Sequence, residues 1–392
     1  MVLLIVRCIS MMYGADITII GAGVVGLAIA AQVASKDREV YVLEKNETFG
    51  LEISSRQSGV IHSGIYYPES SLKAKMCVAG NRTLYELCER YDIGHRRVGK
   101  LIVATSDEEA GELQTLLERG RRNGTEGLRI LSKREIKELE PNIEGVAAIL
   151  SPSTGIIDSH GLMKYFIAKA KDEGGQIVYQ TKVVGIEKIA DGYKVTIQDS
   201  TGESSFTTKI LINCAGLHSD KVAGLAGIDI AKAGYKLHYC KGEYFSIKSS
   251  RSTLVKRLIY PVPPPKITGV GIHITFDLEG RMRLGPSIQY VGSIDYAVDN
   301  QHKQLFYDSV RRFLPFIEYD DLEPEMAGIR PKLQEPGGDV KDFVIRDESD
   351  KGLPRFINLI GIESPGLTAS PAIANYVWGL IKRYLQSDKV SI

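Results

Sequence analysis

The sequence predicts a mixed α/β protein of two domains, the first discontinuous around a parallel sheet and the second a mostly antiparallel sheet inserted into it twice. Three observations predict this. A strand, a Gly-x-Gly-x-x-Gly turn, a helix, a second strand and an acid follow one another within residues 16–45. Apolar runs of the same parallel type return far down the chain, at 176–180 and 356–360. Between them lie alternating apolar and polar segments, most clearly at 236–286.

The first unit begins with the apolar run Ile17-Thr18-Ile19-Ile20, which enters Gly21-Ala22-Gly23-Val24-Val25-Gly26. Residues 27–34 form a small-residue helix, and Val40-Tyr41-Val42-Leu43 is the second strand, ending on Glu44. Gly21 permits a tight turn, Gly23 lets backbone approach a pyrophosphate, and Gly26 lets helix and strand pack closely. The helix start offers free N–H groups and a positive dipole end to phosphates. Glu44 is placed to accept hydrogen bonds from ribose hydroxyls, and its charge disfavours a 2′-phosphate. Together these predict a Rossmann-like dinucleotide site.

A Gly/Ser-rich loop follows at 50–64, offering hydroxyl and backbone donors from Ser54, Ser55 and Ser58, which are also ordinary turn formers. Residues 72–91 are helical, 101–104 a strand, 108–123 a charged helix and 132–139 a short helix stopped by Pro141. Residues 147–150 read as a strand, 159–172 as a helix closed by Gly174-Gly175, and 186–206 as a hairpin of alternating strands. Residues 210–213 form a buried strand that ends in Cys214-Ala215-Gly216, with a helix from about Ser219. Alternation then dominates, with Pro261 to Pro265 marking a loop and 301–314 a helix. The last strand, 356–360, runs into Gly361 and a final helix over about 370–385.

The nucleotide domain is therefore expected at 13–80, 145–232 and 325–392, and the second domain at 81–144 and 233–324. A simple NAD dehydrogenase keeps its nucleotide domain in one piece, whereas three pieces around one cofactor suit a longer, internal flavin. A helix N-terminus at 365–368 would set a positive dipole end where a reduced flavin carries negative charge.

Lys and Arg total 49 against 48 for Asp and Glu, which gives no electrostatic case for nucleic-acid binding. The five cysteines make no CxxC pair and no metal spacing, so they read as reduced thiols of a cytoplasmic protein, and no metal site is expected. Residues 1–12 begin apolar but are too short to span a bilayer and lack a basic start. They read as a dispensable extension, with peripheral membrane contact as the minority reading. No GxSxG hydrolase signature is present.

Several stretches resemble a known family. They are Ser58-Gly-Val-Ile-His-Ser-Gly-Ile-Tyr-Tyr67, Ser71-Leu-Lys-Ala-Lys75, Gly99-Lys-Leu-Ile-Val-Ala104, Lys241-Gly-Glu-Tyr-Phe245, Leu258-Ile-Tyr-Pro-Val-Pro263, Gly271-Ile-His-Ile-Thr275, Ala327-Gly-Ile-Arg-Pro331 and Ser364-Pro-Gly-Leu-Thr368. In this order they are similar to the D-amino-acid oxidase/glycine oxidase superfamily of FAD enzymes, and within it to L-2-hydroxyglutarate dehydrogenases and oxidases. The chain carries little between Ser287 and Tyr307, where longer members have extra helical sequence. The resemblance implies a Rossmann-like FAD-binding domain with an antiparallel cap, FAD as cofactor, a small carboxylate substrate, and a quinone or oxygen as electron acceptor. Taken with it, the expected cofactor contacts are Gly21, Ala22, Gly23, Val24, Val25, Gly26, Glu44, Lys45, Ser54, Ser55, Gln57, Ser58, Gly59, Val60, Val183, Ala215, Gly216, Gly361, Pro365, Gly366, Leu367 and Thr368.

The resemblance also makes Arg330 the partner of the substrate carboxylate, and a guanidinium fork suits that role. The rival reading is an internal ion pair with an acid such as Glu325. His62 and His273 are the candidate bases for a hydroxyl proton. The rival for His62 is a flavin contact, and for His273 a structural histidine on a strand. Tyr244 and Tyr260 line the substrate pocket or serve as core aromatics. Arg56, Lys241 and Lys332 are candidates for a second, distal carboxylate. The expected reaction is oxidation of a small L-2-hydroxy acid, most readily L-2-hydroxyglutarate, to its 2-oxo acid. An amino-acid or glycine-type oxidase, a glycerol-3-phosphate-type dehydrogenase and a flavin-binding electron-transfer subunit are the alternatives.

Overall fold

The computed structural model describes residues 14–263 and 271–390, with the side chains of 387–390 not described. The expected extension at 1–12 and Pro264 and Pro265 of the proline loop lie outside the described residues.

In chain order, β1 (Ala15–Ile20), α1 (Val24–Val33) and β2 (Val40–Leu43) form the opening unit. Next come β3 (Val60–Ile61), α2 (Leu72–Arg90), β4 (His95–Arg96), β5 (Lys100–Ala104), α3 (Asp107–Arg122), β6 (Arg129–Ser132), α4 (Lys133–Leu139) and β7 (Ala147–Ser151). The chain continues through β8 (Gly155–Ile157), α5 (Ser159–Asp172), β9 (Gln176–Val178), β10 (Lys182–Ile189), β11 (Gly192–Asp199), β12 (Gly202–Asn213) and α6 (Ser219–Leu225). The second insertion holds β13 (His238–Ile247), β14 (Leu258–Pro261), β15 (His273–Phe276), β16 (Met282–Gly285), β17 (Gln289–Val291), α7 (Lys303–Val310) and β18 (Leu322–Lys332). β19 (Val344–Glu348), β20 (Leu353–Ile360) and α8 (Gly366–Val390) end the fold.

The first sheet has a parallel core in the order β9-β2-β1-β12-β20. Its middle strands are apolar on both faces, as a sheet covered on both sides requires. α1 is apolar nearly all round because it is covered by α5 and α8. β11 pairs antiparallel with the first half of β12 and β10 with β11, so one long strand serves both sheet and meander. The second sheet runs β17-β13-β16-β15-β14-β5-β7-β6, with β18 beside β13.

Sheet membership sets the joins between the domains elsewhere than the sequence suggested. β7 pairs with β5 and β6, so the chain returns to the nucleotide domain after Ser151 rather than at 145. β18 pairs with β13 up to Lys332, so the last return is later than 325. α2 runs unbroken through the expected join at 80/81 and packs on α8. A short apolar run reads alike in either sheet, so its pattern carried no sign of which one it joins.

α2 matters for the site. Ser71 caps it, its hydroxyl accepting from Ala74 N at 3.1 Å. Gly80 lets it close on α8, because a Cβ there would overlap the Thr368 carbonyl oxygen. The next residue, Asn81, donates from Nδ2 to the carbonyls of His62 and Ser153, both at 2.9 Å. Helix packing thereby holds the His62 loop in place.

Candidate active site

A cavity of about 1410 Å³ runs from the glycine turn to the second sheet. That exceeds an ordinary small-molecule pocket and suits a dinucleotide plus a small substrate.

At its nucleotide end the three glycines differ in what constrains them. Gly21 has φ +107°, and a Cβ there would come 2.5 Å from the Cys214 carbonyl oxygen. A Cβ on Gly26 would overlap the Gly21 carbonyl oxygen, so its absence lets α1 close on β1. Gly23, at the helix N-cap, faces the cavity, and a Cβ there would fill the cradle 3.2 Å from Ser54 Oγ. Ser54 Oγ accepts from Val24 N at 3.0 Å. Glu44 is buried, accepting from Ala22 N at 2.9 Å and from the backbone and side-chain amides of Asn46 at 2.9 and 2.7 Å. It therefore ties the glycine turn to β2 and keeps lone pairs for a ligand, since a carboxylate has about four acceptor sites.

Gly21, Gly23, Val24, Val25, Gly26, Glu44, Lys45, Ser54, Gln57, Ser58, Val60, Val183, Ala215, Gly216, Pro365, Gly366 and Leu367 all line this cavity. Five residues expected beside the cofactor do not. Ala22 is buried in the turn, and Ser55 Oγ donates to Gly50 O. Gly59 and Gly361 hold positive φ in the loops behind the wall. Thr368 Oγ1 accepts from His62 N at 3.0 Å and donates to Val60 O, tying the first turn of α8 to the His62 loop.

Above the start of α8, Glu363 is buried between two lysines. Its carboxylate accepts from Lys73 Nζ at 2.9 Å and from Lys332 Nζ at 3.0 and 2.9 Å. Burial pushes its pKa up, but Lys73 and Lys332 outweigh burial and hold it at about 2. The group carries one net positive charge beside a helix N-terminus, a setting that favours a negatively charged ring system. Replacing Glu363 by Gln leaves two buried ammonium groups without their anion, a loss of about 3–5 kcal/mol of stability. The folded pKa lies below the ordinary 4.5, so the carboxylate stabilises the fold fully above that value and less as pH falls toward 2. Thermal melts of wild type and E363Q therefore differ most near pH 7, and the gap narrows below about pH 4.5.

At the substrate end Arg330 lines the cavity from β18. Nε donates to Cys240 O at 3.4 Å, and Nη2 to Lys241 O at 3.3 Å and Ser287 O at 2.6 Å. These carbonyls fix the guanidinium plane without neutralising its charge. Glu325, the suggested internal partner, pairs instead with Arg283 at 2.9 Å.

His273 lies on β15 and is buried, its ring stacked on Tyr260 at 3.6 Å between centroids. Nδ1 lies 2.7 Å from Gly271 O and can only donate to it, so the neutral ring keeps Nε2 as an acceptor. Burial lowers its pKa to about 3; the Gly271 bond opposes this, while Lys100 and Arg330 add to it. His62 is likewise held near 3 by burial, then by Lys100 and His273. Its Nε2 is 3.3 Å from Ser364 Oγ, and its Nδ1 is buried with no partner among the described residues. Tyr244 and Tyr260 both line the cavity.

Of the distal-carboxylate candidates, Lys241 is committed to Asp295 at 3.0 Å and Glu243 at 3.5 Å, and Lys332 to Glu363. Arg56 lies on the cavity wall with its guanidinium over the Tyr296 ring at 4.1 Å. Sequence reasoning missed Lys73, Tyr66 and Lys100. Lys100 is fully buried on β5 in a run that reads only as core strand.

A family model described as "FAD dependent oxidoreductase" (DAO) matches residues 16–378. The chain is 36% identical to the mitochondrial L-2-hydroxyglutarate dehydrogenase of Arabidopsis thaliana, covering 92% of this chain and 82% of that one. It is 34% identical to the L-2-hydroxyglutarate dehydrogenase of Indibacter alkaliphilus, covering 94% and 99%. Among solved structures, the L-alpha-glycerophosphate oxidase of Mycoplasma pneumoniae, with FAD bound, superposes with a TM-score of 0.82 at 27% identity over 95% of each chain. Glycine oxidase from Geobacillus kaustophilus shares the fold, with a TM-score of 0.78 at 21% identity over 95% of each chain.

Proposed function

The chain belongs to the DAO family of FAD-dependent oxidoreductases, and from that premise we propose that it oxidises L-2-hydroxyglutarate to 2-oxoglutarate. The observation that carries the reading is Arg330. It is a cation held by three carbonyls on the wall of the nucleotide cavity, with no carboxylate partner among the described residues. An electron carrier without a small substrate has no use for such a group.

Gly21, Gly23 and the start of α1 would hold the pyrophosphate, Glu44 the ribose, and the start of α8 with Lys73 and Lys332 the flavin. FAD, when bound, supplies the two-electron acceptor for the substrate hydride. Arg330 binds the carboxylate next to the reacting carbon and so orients that carbon. Nε2 of His273 accepts the hydroxyl proton, because Nδ1 is occupied by Gly271 O and burial keeps the ring neutral at working pH. His62, tied to Thr368 and Ser364, shapes the wall where the two domains meet.

Within the described residues no helix is long and apolar enough to cross a membrane. A quinone or oxygen is the proposed final electron acceptor. The purified holoenzyme should produce 2-oxoglutarate from L-2-hydroxyglutarate with a quinone analogue or oxygen, and far more slowly from glycine or glycerol 3-phosphate. A preference for either of the latter would replace this reading.

A further inference from the structure

A five-carbon dicarboxylate presents two anions, and Arg330 answers one. Lys73, Lys241 and Lys332 already have carboxylate partners. Among the described residues Lys100 has none: it is fully buried, and its Nζ makes no hydrogen bond there. The ammonium sits over the Tyr66 ring at 4.3 Å and the Tyr260 ring at 4.6 Å. The hydroxyls of both tyrosines are also buried, with no hydrogen-bond partner among the described residues. Tyr66 and Tyr260 line the same cavity as Arg330, and Tyr260 stacks on His273.

Buried polar groups are normally paired, and an unpaired one weakens the fold. Here an ammonium and the two tyrosines it lies against leave three donors without an acceptor among the described residues. An acceptor-rich anion meets all three requirements: it takes the two hydroxyl protons and balances the ammonium. We propose that Lys100, with the hydroxyls of Tyr66 and Tyr260, forms a second carboxylate subsite that takes the far carboxylate of the substrate. The proposal rests on the dicarboxylic substrate read above.

The position of the subsite fits that role. His273 lies within electrostatic reach of both Arg330 and Lys100, so both cations act on the candidate base. Burial lowers the Lys100 pKa to about 7, an effect that neighbouring Cys77 opposes. The amine therefore exchanges its proton readily near neutral pH, and an arriving carboxylate favours its charged form.

The test compares anaerobic flavin reduction in the holoenzyme by L-2-hydroxyglutarate and by L-2-hydroxyvalerate, which has the same chain length without the second carboxylate. The wild type should prefer the dicarboxylate. In Lys100→Met the ratio of the two kcat/KM values should fall about a hundredfold, the scale for losing one partner of a buried charge pair. In Tyr66→Phe, which removes only an unpartnered hydroxyl and so keeps the fold, it should fall about tenfold. If both variants lower the two substrates in proportion, or if Arg56→Met collapses the ratio instead, the far carboxylate binds elsewhere and the proposal is overturned. A wild type that oxidises both but prefers neither overturns it too, and a wild type that oxidises neither refutes the substrate reading on which it stands.

Discussion

Replacing Arg330 by methionine should lower kcat/KM for L-2-hydroxyglutarate by about a thousandfold, mostly through KM, while the protein keeps its FAD. Truncating one side of a hydrogen-bonded charge pair costs about 2–5 kcal/mol, and each 1.4 kcal/mol is tenfold. The upper part of that range applies because the guanidinium is pre-aimed by Cys240, Lys241 and Ser287 carbonyls, so little ordering remains for the substrate to bring about. Lysine should restore only part of the loss, since it lacks the planar fork. Stopped-flow reduction of the flavin checks both variants. If R330M still binds substrate with wild-type affinity, Arg330 is a structural residue pinned to its carbonyls and the carboxylate site lies elsewhere.

Replacing His273 by asparagine should lower kcat by about a thousandfold, within the usual range for a general base. KM should change far less, because the substrate carboxylate remains on Arg330. The pH profile gives a second handle. Burial holds His273 near 3, so kcat should show no loss at the ordinary histidine value of 6.5 as pH falls, and an inflection of kcat/KM near 7 belongs to Lys100. The partners that set this value are Gly271 O, Lys100 and Arg330, and the ring lies against Tyr260. If His62→Asn, not His273→Asn, shows the large loss in kcat, the proton acceptor is on the loop rather than on β15.

The nucleotide end was legible in the sequence because its chemistry depends on backbone spacing. A Gly-x-Gly-x-x-Gly turn between strand and helix needs glycine for reasons of space, and the overlaps at Gly21 and Gly26 are those reasons. Arg330 was legible only through resemblance, since periodicity cannot separate a substrate anchor from an ion pair. The three donors at Lys100 could not be read from the chain. Lys100 sits in a run otherwise apolar, Tyr66 in a loop and Tyr260 on a different strand; the parallel pairing of β5 with β14 brings Lys100 beside Tyr260, and the loop places the Tyr66 ring against the same ammonium. The joins were displaced for a related reason: β7 is an apolar run whose partners are 40 or more residues away for one neighbour and near in sequence for another.

An anaerobic titration of the FAD-loaded protein with L-2-hydroxyglutarate bears most directly on the whole reading. The absorbance band of the oxidised flavin should bleach in proportion to substrate, with one 2-oxoglutarate formed per flavin reduced. A loaded protein whose flavin stays oxidised with this substrate but bleaches with glycine or glycerol 3-phosphate would contradict it.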